Sequence, residues 1–168
     1  GTEKIPHLFI IDFEMKAIQL FRLDVELPRE VSYNFKGISN AMTAPGEIKG
    51  MTFRKFPMNF TDYEKAFLKI QEQIAAGNSF LTNLTFSTPI ETNLTLRQLY
   101  EHSRAPYKIL IDGVFVRFSP ESFVTIRNGI ITTCPMKGTI NASLPGAEQL
   151  IMESIKETAE HHTVVDLL

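Results

Sequence analysis

The sequence predicts an α+β fold: largely antiparallel strands grouped in hairpins, with helices packed alongside, residues 1–168 forming a single unit. Three observations carry that expectation. Short apolar runs recur between tight-turn residues, an Asn-Gly pair separates two β-branched runs, and three Ser/Thr-x-x-Glu/Gln signatures open helical stretches. At 168 residues the chain is long enough for one domain with a real core. Its 43% hydrophobic and 21% charged residues lie near globular averages and argue against wholesale disorder.

The elements follow in order. His7 to Phe13 and Ala17 to Leu23 are apolar runs divided by Glu14–Lys16, the pattern of two strands around a tight turn. The stretch 37–50 shifts to Gly, Ser, Asn, Ala, Pro and Lys and reads as a connecting loop. From Thr61 to Ala76, the residues Tyr63, Ala66, Phe67, Ile70 and Ile74 recur at helical spacing. Thr61 to Glu64 supplies a capping box there, and Gly77 the stop. Ser79 to Thr88 alternates as a half-buried strand does, up to Pro89. Thr95-Leu96-Arg97-Gln98 opens a short helix to about Ser103, and Tyr107 to Ile111 is a further strand. Ser122–Arg127 and Ile130–Cys134 flank Asn128-Gly129, which suits the positive φ angles of a type I′ turn. Beyond the loop 135–145 the chain turns helical, and Ser154-Ile155-Lys156-Glu157 starts its last helix.

Charge and composition exclude several functions. The 17 basic and 19 acidic residues leave a net charge of −2, against a chain whose main task is coating nucleic acid or anionic membrane. No apolar run approaches the roughly 20 residues needed to cross a bilayer. A lone Cys134 permits no internal disulfide and suits a reducing compartment, so a cytoplasmic location is expected. There is no Gly-rich phosphate loop.

Two constellations could carry chemistry. A two-residue turn at 128–129 pairs Arg127 with Ile130 and, extrapolated, Glu121 with Met136, which makes Glu121 and Lys137 neighbours. The plain reading is a surface ion pair worth about 0–1 kcal/mol. The sharper one is an acid and a nucleophile sharing a cleft. Strict alternation puts the two side chains on opposite faces, but Pro135 and Gly138 loosen the strand and leave the direction of Lys137 open. The second constellation is Glu157, Glu160 and His161, at i, i+3 and i+4 on one helical face. Two carboxylates one turn apart suit a hard cation such as Mg²⁺, whereas the order Glu-His-His without a Cys pair does not suit zinc. A solvated face with Glu157 as a capping partner is the alternative.

Three stretches together are familiar. They are Phe118-Ser119-Pro120-Glu121-Ser122-Phe123, Gly129-Ile130-Ile131-Thr132-Thr133-Cys134-Pro135-Met136-Lys137-Gly138-Thr139, and Lys156-Glu157-Thr158-Ala159-Glu160-His161-His162-Thr163-Val164-Val165-Asp166-Leu167. In this order they resemble the chorismate-binding enzymes, a family that includes component I of anthranilate synthase and of aminodeoxychorismate synthase and the isochorismate and salicylate synthases. Gly77-Asn78-Ser79-Phe80 through Asn83-Leu84 resembles a further family strand, with Asn78 in place of Asp and Thr82 off pattern. The resemblance runs from about residue 53 to residue 168. Pro135-Met136-Lys137-Gly138-Thr139 is similar to the aminodeoxychorismate synthase form, since anthranilate synthases usually carry Ala where Lys137 stands.

The resemblance implies about half of the family's α/β sandwich, with the C-terminal half absent. It also implies a mechanism: chorismate held through its ring carboxylate on Mg²⁺, the ion bound by Glu160 with Glu157 close by. Gly138 and Thr139 would donate to the substrate, Glu121 would protonate the departing 4-hydroxyl, and Lys137 would attack C2. Ammonia from a glutamine amidotransferase (glutaminase) subunit would then add at C4, giving 4-amino-4-deoxychorismate, the precursor of p-aminobenzoate and folate. A carboxyl with a pKa of about 4.3 is protonated in about one molecule in 500 at pH 7, so Glu121 needs burial or negative neighbours. Lys137 must fall from about 10.4 toward 7–8, which desolvation and nearby cations favour. The family pattern continues with Arg-Asn-Asp beyond Asp-Leu-x, and residues 1–168 alone are expected to show no turnover. Rival expectations are an anthranilate or other chorismate-using synthase, and a non-catalytic binding module.

Overall fold

A computed structural model describes residues 4–40, 46–135 and 138–167. In chain order the elements are β1 (His7–Ile11), β2 (Ile18–Arg22), β3 (Val31–Phe35), β4 (Ile38–Ser39), β5 (Phe53–Lys55), α1 (Phe60–Ala75), β6 (Ile90–Thr92), α2 (Leu96–His102), β7 (Tyr107–Ile111), β8 (Phe115–Ser119), β9 (Thr125–Arg127), β10 (Ile130–Thr132), α3 (Ala147–Met152) and α4 (Ile155–Asp166). Every strand pair is antiparallel. The α+β architecture with hairpins is as the sequence predicts.

The core forms where β3 and β7 lie side by side in the sheet β4-β3-β7-β8. Val31, Tyr33 and Phe35 point to one face, where Leu8 of β1 packs against Val31 and Tyr33, with Ile109 and Ile111 of β7 alongside. Ser32, Asn34, Lys108 and Leu110 share the opposite face, which α2 covers with the buried ring of Tyr100. Leu110 is fully buried there. The short β4 does not complete the edge of β3 alone. Asn40 extends the pairing with its side chain, accepting from the Tyr33 N–H at 2.9 Å and donating to the Val31 carbonyl at 2.8 Å. Lys108 closes the other end of that layer. Its ammonium donates to the Tyr100 and Ser103 carbonyls at 2.7 and 3.0 Å, where cations favour a helix C-terminus, and burial holds it below the ordinary lysine value.

Several expectations are corrected. β3, β5, β6 and β8 are strands that the sequence reading left unassigned, and Ile38–Ser39 pairs with β3 inside the predicted loop 37–50. Residues 79–88 are not a strand: among the described residues no neighbouring strand offers them a ladder, and of the predicted inward side Leu84 and Phe86 are half-buried while Phe80 and Thr82 are exposed. The α1 cap is Asn59, not Thr61. Its side chain accepts from the Asp62 N–H at 3.0 Å and donates to the Asp62 carboxylate at 2.7 Å. At the other end Gly77, with φ of 77°, completes a Schellman motif: Gly77 N–H to Ile74 and Asn78 N–H to Gln73, both at 3.0 Å. The Thr95–Gln98 capping box and the Arg127–Ile130 register are as expected.

Outside that core the chain is thinly covered. Its accessible surface is 14071 Å², about 1.7 times what a compact protein of 19.0 kDa exposes. No residue of α1 is buried, and Phe60, Tyr63, Phe67 and Leu68 are exposed along it, as are Phe123, Ile126, Ile130 and Ile131 around the β9–β10 hairpin. Stability therefore rests on the β3–β7 layer. Leu110→Ala is expected to cost about 2–5 kcal/mol in urea denaturation, against about 1 kcal/mol or less for Leu150→Ala, whose side chain is half in water.

Candidate functional site

The site begins with a cap that is only half made. Ser154 is the N-cap of α4, and its hydroxyl accepts the Glu157 N–H at 3.4 Å. In a full capping box the Glu157 carboxylate would return to the Ser154 N–H. That N–H is already spent on the Ile151 carbonyl at 3.3 Å, the last turn of α3. The expected role of Glu157 as a capping partner is thus corrected, and its carboxylate is free to face elsewhere.

It faces two neighbours. Oε1 accepts from the Lys156 ammonium at 3.0 Å, and the same ammonium lies 3.5 Å from Oε1 of Glu160, so one cation spans both carboxylates. The hydrogen bond that Lys156 donates to Glu157, with the charges of Glu157 and Glu160, holds Lys156 above the ordinary lysine value. Lys156 is 74% exposed, so the pairing itself adds little stability. Its importance is that it marks where positive charge is favoured. On its other side Glu157 meets Gly138. A Cβ on Gly138 would overlap Oε2 and lie 3.1 Å from Cδ and 3.2 Å from Cγ of Glu157. The loop after β10 therefore runs directly against the first turn of α4.

The remaining candidates are placed as follows. Thr139 is exposed beside Gly138. His161 and His162 are exposed on α4. Glu121 is exposed just after β8, where its backbone carbonyl accepts from the Ser119 hydroxyl at 2.8 Å. Among the described residues nothing buries the Glu121 carboxylate. Lys137 lies outside the described residues, and with Met136 so does the extrapolated pairing of Glu121; the ladder itself ends at Thr125–Thr132. Lys156 is the residue that sequence reasoning passed over. Its spacing to Glu160, i and i+4, was the available signal.

The donor set fits a hard divalent cation. Glu157 and Glu160 offer carboxylate oxygens only, and Mg²⁺ characteristically takes one or two carboxylates while keeping waters and borrowing oxygens from a ligand. Among the described residues no group of three or more His, Cys, Asp or Glu is placed to hold a metal ion. The void that Gly138 leaves for the Glu157 carboxylate keeps that oxygen pair beside the loop rather than in bulk water.

The profile of the chorismate binding enzyme family matches residues 26–168, which takes in all three of these segments. The chain belongs to that family. It is similar to a protein named "Uncharacterized PabA-like protein" of Haemophilus influenzae, 40% identical over 168 residues, covering all of this chain and 51% of that protein. Aminodeoxychorismate synthase component 1 of Salmonella typhimurium is 30% identical over 123 residues, 66% of this chain and 27% of its own length. Anthranilate synthase alpha subunit 1, chloroplastic, of Oryza sativa subsp. indica is 30% identical over 133 residues, 70% and 22%. The chain thus spans about half the length of the PabA-like relatives it matches. No solved structure matches it significantly. Among the described residues no helix is long and apolar enough to cross a membrane.

The cap is the site's local support. Ser154→Ala is expected to cost about 0.5–2 kcal/mol of α4 stability. Amide hydrogen exchange should then quicken at Lys156 to Thr158 and stay unchanged in α1. Unaltered exchange in α4 would show that the cap does not hold the first turn.

Proposed function

We propose that this chain forms the first part of a chorismate-aminating site of the aminodeoxychorismate synthase component I type, working in the cytoplasm with ammonia from a glutaminase partner. One observation supports this most: the loop carrying Gly138 and Thr139 lies against the α4 turn carrying Glu157 and Glu160. A substrate anchored by that loop would reach the carboxylates without any rearrangement of the fold.

In this reading Glu160 and Glu157 hold Mg²⁺, which supplies charge neutralisation for the ring carboxylate of chorismate. Gly138 and Thr139 orient the ring with backbone and hydroxyl donors. Lys137, as the free amine, forms a bond to C2 while both conjugated ring double bonds shift and the C4–oxygen bond breaks. Glu121 gives its proton to the leaving hydroxyl, which departs as water. Ammonia then bonds to C4, the two double bonds shift back, the C2–nitrogen bond breaks, and Lys137 recovers its electron pair. Because Glu121 is exposed in the chain, bound substrate and any further polypeptide must supply its cover. Lys137 separates this reading from anthranilate synthesis: a covalent amine at C2 blocks addition of ammonia there and directs it to C4.

The test is a chimera in which residues 1–168 replace the matching half of the Haemophilus influenzae relative. With chorismate, an ammonium salt and Mg²⁺ it should form 4-amino-4-deoxychorismate. Glu121→Gln should slow that by about 10²–10⁴-fold, and Lys137→Ala should abolish it. Anthranilate as the product, or full output from Lys137→Ala, would overturn the reading. Mg²⁺-dependent chorismate binding by residues 1–168, lost in Glu160→Ala, separates a substrate site from a scaffolding module.

A further inference from the structure

Gly138 has two constraints on it at once. Its φ of 80° lies in the left-handed region, which a side chain resists. That alone does not set it apart, because Gly129 has φ of 77° and Asn128 occupies the same region with φ of 51°. The second constraint is its own. Among the described glycines only Gly138 has anything within 4 Å of where a Cβ would stand, and what stands there is the Glu157 side chain. The overlapping atom is the end of a flexible side chain, so an added methyl would displace the carboxylate more readily than it would unfold the loop. With the Ser154 N–H already engaged, Glu157 has no return to its cap when pushed away.

We infer that Gly138 is a positioning residue for Glu157: its missing side chain reserves the space that holds this carboxylate beside Glu160. The consequence for a metal rests on the proposed reading of Glu157 and Glu160 as Mg²⁺ ligands; the reserved space itself does not.

The test compares Gly138→Ala with Gly129→Ala, whose Cβ enters open space at nearly the same φ. Two readouts are taken on residues 1–168: the ¹³C resonance of the Glu157 side-chain carboxylate without metal, and titration with Mn²⁺, a paramagnetic oxygen-seeking stand-in for Mg²⁺. Gly138→Ala should shift the Glu157 resonance and weaken Mn²⁺ binding by about tenfold or more; Gly129→Ala should do neither. An unmoved Glu157 resonance in Gly138→Ala overturns the inference, whereas a moved resonance with unchanged Mn²⁺ affinity supports the reserved space and overturns its consequence for the metal. A wild-type chain that binds no Mn²⁺, with the resonance still moved by Gly138→Ala, refutes the metal reading and supports the reserved space. If Gly138→Ala does not fold, the comparison is made with Glu157→Asp added, which withdraws the carboxylate by one methylene. Folding restored by that second change supports the inference, and an equally unfolded double variant overturns it.

Discussion

A carboxylate resting against a residue with no side chain organises the functional end of this molecule. Glu157 emerges from the first turn of α4, where the helix dipole favours negative charge, and meets the backbone of Gly138 across a gap too narrow for a methyl group. The approach joins two segments that no strand ladder or buried core ties together. It requires that the reciprocal cap at Ser154 be left unmade, and the hydrogen bond from Ser154 to Ile151 ensures that. A rule of local helix stability is broken here, and the group released is one that chemistry could use.

Energetically the chain divides into a firm layer and a loosely covered remainder. Burial concentrates between β3 and β7, closed on one side by the β1–β2 hairpin and on the other by Tyr100 of α2. α1, the β9–β10 hairpin and α4 contribute no buried residue to it. Burying apolar side chains is the main source of folding free energy, so these elements stand on local hydrogen bonding and caps. The candidate site lies in that part, which is why single groups such as Ser154 and Gly138 matter more to its geometry than any core residue.

The readable parts of the sequence were those in which a local rule acts without competition. Asn128-Gly129 demanded a type I′ hairpin and set its register, Thr95–Gln98 made its box, and Gly77 ended α1. The unread parts depended on partners distant in sequence. β3 is a five-residue run with Ser32 and Asn34 inside it, and it is a strand because β7 lies beside it some seventy positions on. Residues 79–88 have the better alternation and no such partner. The start of α1 was misplaced by two competing caps two residues apart, of which Asn59 and Asp62 satisfy each other more fully than Thr61 and Glu64. At the site, spacing placed Glu157 and Glu160 on one face, but the juxtaposition with Gly138 and the spanning ammonium of Lys156 needed coordinates. The family membership was legible because its residues are contiguous motifs rather than contacts.

The meeting of Gly138 with Glu157 can be observed without any ligand. A nuclear Overhauser effect between the α-protons of Gly138 and the γ-methylene of Glu157 reports it directly, since Cγ lies 3.2 Å from the position a Gly138 Cβ would take. The account predicts a strong cross-peak in the chain alone at neutral pH. With both resonances assigned and no cross-peak between them, the carboxylate is elsewhere and the site described above does not assemble.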